Sequence, residues 1–262
     1  MNAASMFDMR GRVALVTGGR GLYGAPISEG LAEAGAHVLI ASRNRQACCD
    51  LAAALVERGL SAEGVSLDLA DDQSIHELTE DIARRYGSVD VLVNNAVSRE
   101  HYADFEQMSR PLMASSLDVN ILGTMGLTQA LLALMRTKGS GSIINISSIQ
   151  GVIAPHFPYY DQDQSSPVGY TLEKWGLIGF TKWLAARYGR EGIRANAISP
   201  GGYDPLLEEK RPVFYRTYAT HTPLGKWPDR DDIKGPVCFL ASDASRYVTG
   251  HNLVMDGGFT IW

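Results

Sequence analysis

Cysteine is scarce in this 262-residue chain: Cys48, Cys49 and Cys238 are too few and too badly placed for a disulfide framework. The six histidines form no ligand-spaced cluster, so no metal site is expected. Positive charge is also in short supply. With 24 Lys and Arg against 29 Asp and Glu, the net charge is -5, and no basic stripe offers itself to nucleic acid. No apolar run reaches membrane-spanning length, and residues 1–10 lack the apolar core of a signal peptide, so a cytoplasmic protein with no membrane partner is expected. Linkers, low-complexity tracts and internal repeats are missing too, which leaves one domain over residues 1–262.

What is present is a 45% hydrophobic chain, enough for a large core, in which strand-like runs alternate with helical ones. That alternation implies an α/β fold with a doubly wound parallel sheet. Residues 13–17 form an apolar, β-branched run, followed at once by Gly18, Gly19, Arg20, Gly21, Leu22, Tyr23 and Gly24, and then by Ile27, Leu31 and Ala34 at helical spacing. Strand, glycine turn and helix in that order can cradle a pyrophosphate on the free amides of the helix start. Pro26 fits a first helical turn, whose N–H groups have no intrahelical partner. A tight turn with no ligand has similar composition.

The second expected strand, 37–41, ends in Ser42 and Arg43 where an NAD site usually places an acidic residue. Arg43 and Arg20 can instead meet the extra phosphate of NADP, unless both are solvated loop residues. A third strand ends at Asp68 and Leu69. Asp68 can accept from an adenine amine, although the acidic cluster there also suits a helix cap. A fourth, 90–94, delivers Asn94, Asn95 and Ala96, which are either ligand contacts outside a carboxyl end or turn residues. The fifth, 141–146, delivers Ser147 and Ser148. A hydroxyl there can donate to a carbonyl oxygen as negative charge grows on it, and no glycine elbow or assigned His and Asp partners support a hydrolase triad.

Tyr170 and Lys174 lie four apart, which puts a phenol and an ammonium on one helix face. A cation ~4 Å from the phenol, at an effective dielectric of ~20, favours phenolate by roughly 4 kcal/mol, or as much as ~3 pKa units. The expectation is that Lys174 draws Tyr170 toward neutrality as an acid/base; an incidental pair on a surface helix is the alternative. Leu172, Trp175, Leu177, Ile178, Phe180, Trp183 and Leu184 leave little of that helix polar, so it is buried either by a partner subunit or by a thicker core.

In this order the motifs resemble those of the short-chain dehydrogenase/reductase family, compact branch, over nearly the whole chain. Thr17, Gly18 and Gly24 match its cofactor loop, Asp68 its adenine contact, Asn94, Asn95 and Ala96 its structural asparagine motif, and Asn120 its relay asparagine. Ser148, Tyr170 and Lys174 match the catalytic set, Pro200 and Gly201 the nicotinamide segment, and Thr249, Gly250, Asp256, Gly257 and Gly258 the C-terminal motifs. The resemblance implies a Rossmann-type, seven-stranded parallel sheet with helices on both faces, and a homotetramer. Within the family the chain looks most like gluconate 5-dehydrogenases and other sugar-acid or polyol oxidoreductases.

With the residues read above, the resemblance gives a catalytic set of Asn120, Ser148, Tyr170 and Lys174. The expected cofactor contacts are Gly18, Arg20, Gly21, Leu22, Tyr23, Gly24, Ser42, Arg43, Asp68, Leu69, Asn94, Ala96, Pro200 and Gly201, with Tyr170 and Lys174. NADP is the preferred cofactor and NAD the second choice. Three departures stand out: Leu22 in place of the usual middle glycine, with Gly21 one position early; Val97 where the asparagine motif usually closes in Gly; and a long gap between Ser148 and Tyr170. An insert near 152–168 and a lid near 202–226 are expected to shape the substrate site. Lys210, Arg211 and Arg216 of the lid can attract a carboxylate or simply form a solvated face. The expected activity interconverts a secondary alcohol and a ketone on a small hydroxylated molecule. The alternatives are a 3-oxoacyl thioester reductase and a non-catalytic cofactor sensor on the same fold.

Overall fold

Residues 13–16 and 38–41 are continuously apolar, the pattern of strands covered on both faces, with the polar Thr17 and His37 beside them. In the computed structural model, which describes residues 2–160 and 166–262, they form β1 (Val13–Thr17) and β2 (His37–Ser42). With β3 (Ala62–Ser66), β4 (Val91–Asn94), β5 (Gly141–Ile146), β6 (Ile193–Pro200) and β7 (Asn252–Met255), they make one seven-stranded sheet in the order β3-β2-β1-β4-β5-β6-β7. Every pairing is parallel. The chain winds outward from β1 to β3, then returns to the other side of β1 at β4. That reversal opens a crevice beyond the carboxyl ends of β1 and β4, the place where such sheets hold ligands.

Successive strand residues point to opposite faces, and two cores follow. Ala14, Val16, Val38 and Ile40 pack with α1 (Gly24–Glu33), α2 (Arg45–Glu57) and α9 (Lys234–Ala241). Leu15, Leu39 and Leu92 pack with α3 (Asp72–Tyr86), α5 (Thr124–Lys138) and α6 (Val168–Tyr188). A third cluster sits over the carboxyl ends of the sheet. There Leu207 of α7 (Leu207–Lys210) and Phe214 and Tyr218 of α8 (Pro212–Thr220) meet Ile149, Trp227 and Phe259.

Before α5, α4 (Arg110–Leu117) runs into a π-helical turn, Asp118–Gly123. The extra residue per turn shifts the helix face at Asn120, and Gly123 lets the backbone close on the carbonyl of Leu69, which any Cβ would strike. From Arg110 to Lys138 this continuous rod is long and apolar enough to cross a membrane, contrary to expectation from the sequence. Its buried side chains Leu127, Leu131 and Met135 nevertheless belong to the sheet's second core, which is the work of a core helix.

The apolar surface of α6 divides as its length requires. Leu177, Thr181 and Leu184 are buried, while Leu172 (55% exposed), Trp175 (51%) and Trp183 (57%) face outward, as do Leu122 and Met125 before and in α5. The described residues do not cover that face, so a thicker core does not account for it.

Candidate active site

The glycine turn after β1 holds its shape by close backbone packing. Gly18 has φ +59°, a Cβ on Gly24 would run into the Gly18 carbonyl, and the Gly21 amide donates to that same carbonyl at 2.9 Å. Gly21 and Gly24 thus do the work of a three-glycine turn, while Leu22 stands half exposed in the wall of the crevice. Thr17 Oγ1 accepts from the amides of Asn95 and Ala96 at 3.0 Å each, and Asn95 Nδ2 donates to the carbonyls of Thr17 and Gly18. Val97 fits without strain, because every positive φ among the described residues belongs to glycine.

Asn94, expected at the cofactor, is buried and directed sideways. Its Nδ2 donates to Thr128 Oγ1 and Asn145 Oδ1, so Asn95 and Ala96 meet the crevice in its place. At the far end, Ser42, Arg43, Asp68, Leu69 and Ala96 line a small recess. Asp68 Oδ1 accepts from the Ala70 amide, and Asp71, not Asp68, caps α3. Arg43 is exposed and ion-paired at 2.7 Å to Glu100, across the recess. Arg20 lines the neighbouring part of the crevice together with Ser42. At the other end, Tyr23 donates its hydroxyl to the Gly201 carbonyl at 2.8 Å and joins the glycine turn to the segment after β6.

The crevice then widens into a cavity of about 740 Å³ lined by Ser148, Tyr170, Lys174, Pro200 and Gly201. β5 delivers Ser148 with its hydroxyl accepting from the Gln150 amide at 3.2 Å, and α6 is locked against that turn by Ser147 Oγ, which donates to the Lys174 carbonyl at 2.8 Å. Lys174 is buried. Its Nζ donates to the Ile146 carbonyl at 2.8 Å and lies 5.5 Å from the centre of the Tyr170 ring. Burial lowers its pKa to about 8, while Glu173 raises it and Arg99 lowers it.

The expected electrostatics need correction here. Burial holds the Tyr170 phenol above its ordinary value, and the effects in the other direction are a hydrogen bond donated by Ser148 and the charge of Arg99. The Lys174 ammonium is engaged by the Ile146 carbonyl and is not among the groups that lower the phenol. Asn120 Oδ1 accepts from the Ser98 amide at 2.7 Å, and its Nδ2 donates to the Ser98 carbonyl and to Glu173 Oε2, both at 2.9 Å.

The substrate side of the cavity is walled by Arg99, Tyr102, Gln150, Tyr160, Tyr203, Asp204, Arg211, Phe214, Tyr218 and Trp227. Of the three lid cations, Arg211 reaches this wall and lies over the Phe214 ring at 4.9 Å. Lys210 instead pairs with Asp204 at 3.6 Å, and Arg216 is exposed away from the wall. Arg99 was missed by sequence reasoning because nothing in its spacing marks the loop after β4 as a cavity wall. Of the insert, Tyr160 accepts from Gln150 Nε2 at 3.1 Å and Ser166 donates to Gln150 Oε1 at 2.5 Å, whereas residues 161–165 lie outside the described residues.

Comparison with known proteins agrees with this geometry. A family model described as enoyl-(acyl carrier protein) reductase matches residues 21–260. A D-threitol dehydrogenase of Mycolicibacterium smegmatis is 35% identical over 260 residues, covering 97% of this chain and 96% of that one. A 7alpha-hydroxysteroid dehydrogenase of Bacteroides fragilis is 32% identical over 95% of each chain. Among solved structures, a gluconate 5-dehydrogenase from Burkholderia cenocepacia, in complex with NADP and tartrate, superposes with a TM-score of 0.89 at 32% identity over 100% of both chains.

Proposed function

The chain belongs to the short-chain dehydrogenase/reductase family and is an oxidoreductase, and from that premise we propose that it interconverts a ketone and a secondary alcohol on a small hydroxylated acid or polyol, with NADP. The observation that carries the substrate class is the cavity itself. Aromatic faces alternate there with Gln150, Tyr160 and Asp204, and Arg99 and Arg211 add positive charge to the wall. A hydroxyl-rich ligand needs a polar partner for each buried hydroxyl, and a carboxylate suits a guanidinium. Tyr160 comes from the insert and Asp204 and Arg211 from the lid, while Arg99 belongs to the loop after β4 and Gln150 to the turn after β5.

The glycine cradle, closed to any side chain at Gly24, Arg20 within it and Arg43 at the end of β2 fit a dinucleotide carrying a 2′-phosphate. When bound, the nicotinamide supplies or accepts the hydride. The protein's own part is to handle charge at the substrate oxygen. Ser148 donates to that oxygen, and Tyr170 delivers its proton in reduction or takes it in oxidation. Burial keeps Tyr170 protonated at neutral pH, the form that reduction needs. Lys174 donates toward the cofactor ribose and Asn120 orders the backbone of the loop after β4.

The same reading includes a cytoplasmic homotetramer, supported by the free state of all three cysteines and by the uncovered apolar face of α5 and α6. The test is a panel of keto acids, neutral ketones, steroids and 3-oxoacyl thioesters followed by NADPH absorbance. A keto acid or polyol product should show the highest kcat/KM, and Arg99→Gln with Arg211→Gln should weaken an acidic substrate about tenfold more than its neutral analogue. Preference for a steroid or an acyl thioester, or equal loss on both analogues, would overturn the substrate class; no turnover with any of them would favour the cofactor-sensor alternative.

A further inference from the structure

Next to Lys174 on α6 stands a carboxylate for which the proposed chemistry has no use. Glu173 is 1% exposed, and an acidic side chain is rarely buried so fully unless its lone pairs are occupied. Here they are. Oε1 accepts from Ser116 Oγ at 2.6 Å, and Oε2 accepts from the Tyr102 hydroxyl at 2.6 Å and from Asn120 Nδ2 at 2.9 Å. The donors come from two pieces of chain: Tyr102 from the loop after β4, and Ser116 and Asn120 from the last turn of α4 and the π-helical turn that continues it.

Each donor touches the site from a different direction. The Tyr102 ring lines the cavity and stands edge-on to Tyr170, with centroids 5.8 Å apart, so the bond at its hydroxyl fixes the ring that faces the reacting group. Asn120 clasps the backbone of Ser98 through both its amide and its carbonyl oxygen, so the loop carrying Arg99 hangs from the same point. Among the described residues, the groups that bear on Lys174 and Glu173 are Tyr170 on α6, Arg99 and Tyr102 on the loop after β4, and the neutral Ser116 and Asn120 on the α4 side. At Lys174 the charges of Glu173 and Arg99 oppose each other.

We propose that Glu173 is a positioning residue of this active site, a carboxylate one residue from Lys174 that pins the substrate-side loop and Asn120 to the catalytic helix. This rests on the oxidoreductase reading above. A hydrogen-bond hub that only held the fold together would lower stability when cut and leave the titration of Lys174 where it was. A positioning charge moves that titration.

The test compares Glu173→Gln, Glu173→Asp and Tyr102→Phe in the full-length protein, with NADPH and 5-ketogluconate as probes. Glu173→Gln keeps the shape and loses the charge. It should lower kcat about tenfold or more and move the alkaline limb of kcat/KM for reduction to lower pH by about half a unit or more, because the ammonium loses its neighbouring anion. Glu173→Asp keeps the charge and loses the reach, so the limb stays while kcat falls. Tyr102→Phe keeps the ring and the carboxylate, so the limb again stays while KM for the keto acid rises about threefold or more.

The same limb is read without turnover in the pH dependence of NADPH binding, followed by its fluorescence. A protein that binds NADPH but reduces no 5-ketogluconate therefore still tests Glu173, while its failure to reduce counts against the substrate class alone. Failure of the wild type to bind NADPH at all would sink both readings. A Glu173→Gln variant whose limb stays at the wild-type pH would reduce the residue to a structural hub and overturn the proposal, whatever its stability. Should that variant not fold, a Tyr102→Phe variant with unchanged KM, or a displaced limb in Glu173→Asp, overturns it equally.

Discussion

The low pKa of Lys174 makes a stability prediction that can be worked through in full. Burial brings the ammonium from an ordinary 10.5 down to about 8 in the folded protein. Below about 8 both folded and unfolded chains hold the proton, and the native state bears the whole cost of a buried cation. Between about 8 and 10.5 the native protein has released a proton that the unfolded chain still binds, so stability rises with pH, by at most about 1.36 kcal/mol per unit. From pH 8 to pH 10 that amounts to roughly 2 to 3 kcal/mol, or about 5 to 10 °C in Tm for a domain of this size. Lys174→Met removes the titration. It also removes the bond to the Ile146 carbonyl, but that loss is the same at every pH. The buried phenols of Tyr23, Tyr102, Tyr170 and Tyr218 are pushed up and destabilise the fold only at higher pH, and the variant carries them too. The measurement is the Tm of both proteins between pH 7 and pH 10 by calorimetry. The wild type should gain on the variant by several degrees above pH 8; parallel curves would refute the buried-ammonium argument.

Tyr170→Phe should keep the fold and NADPH affinity but lose about 100-fold or more in turnover, the usual scale for a missing proton donor, and near-normal rates in stopped-flow assays would remove Tyr170 from the mechanism. Arg43→Ala should raise KM for NADPH about tenfold while leaving NADH nearly unchanged, and Glu100→Gln, which frees the guanidinium from its ion pair, should lower KM for NADPH by about threefold. Equal changes with both cofactors would count against the phosphate role. Trp175→Glu places a charge in the exposed apolar face of α6 and should break a tetramer into smaller species in light scattering, whereas an unchanged mass would put the subunit contact elsewhere.

The parts of the site that could be read from the sequence are those whose signal is local. A strand, a glycine turn and a helix are contiguous, so the cradle at Gly18 to Gly24 was legible, as were the strand ends that deliver Ser42 and Ser148. The placement of Asn94 was not, because a strand's last residue can face the ligand or its neighbours, and only the pairing with Asn145 on β5 decides which. Glu173 is the clearest case. In the sequence it is one acid beside a lysine on a helix, the pattern of a solvated pair. Its burial is created by Ser116, Tyr102 and Asn120, which lie between 53 and 71 residues away and reach it through a π-helical turn that the sequence does not announce. The same turn explains why Asn120 serves the loop after β4. One extra residue swings its amide toward Ser98 and Glu173, and the backbone can take that path because Gly123 allows it to close on Leu69. The electrostatics of Tyr170 follow from the same geometry: a spacing of four residues brings two side chains to one face, but the Ile146 carbonyl takes the ammonium and Arg99, from another segment, supplies the cation that the phenol feels.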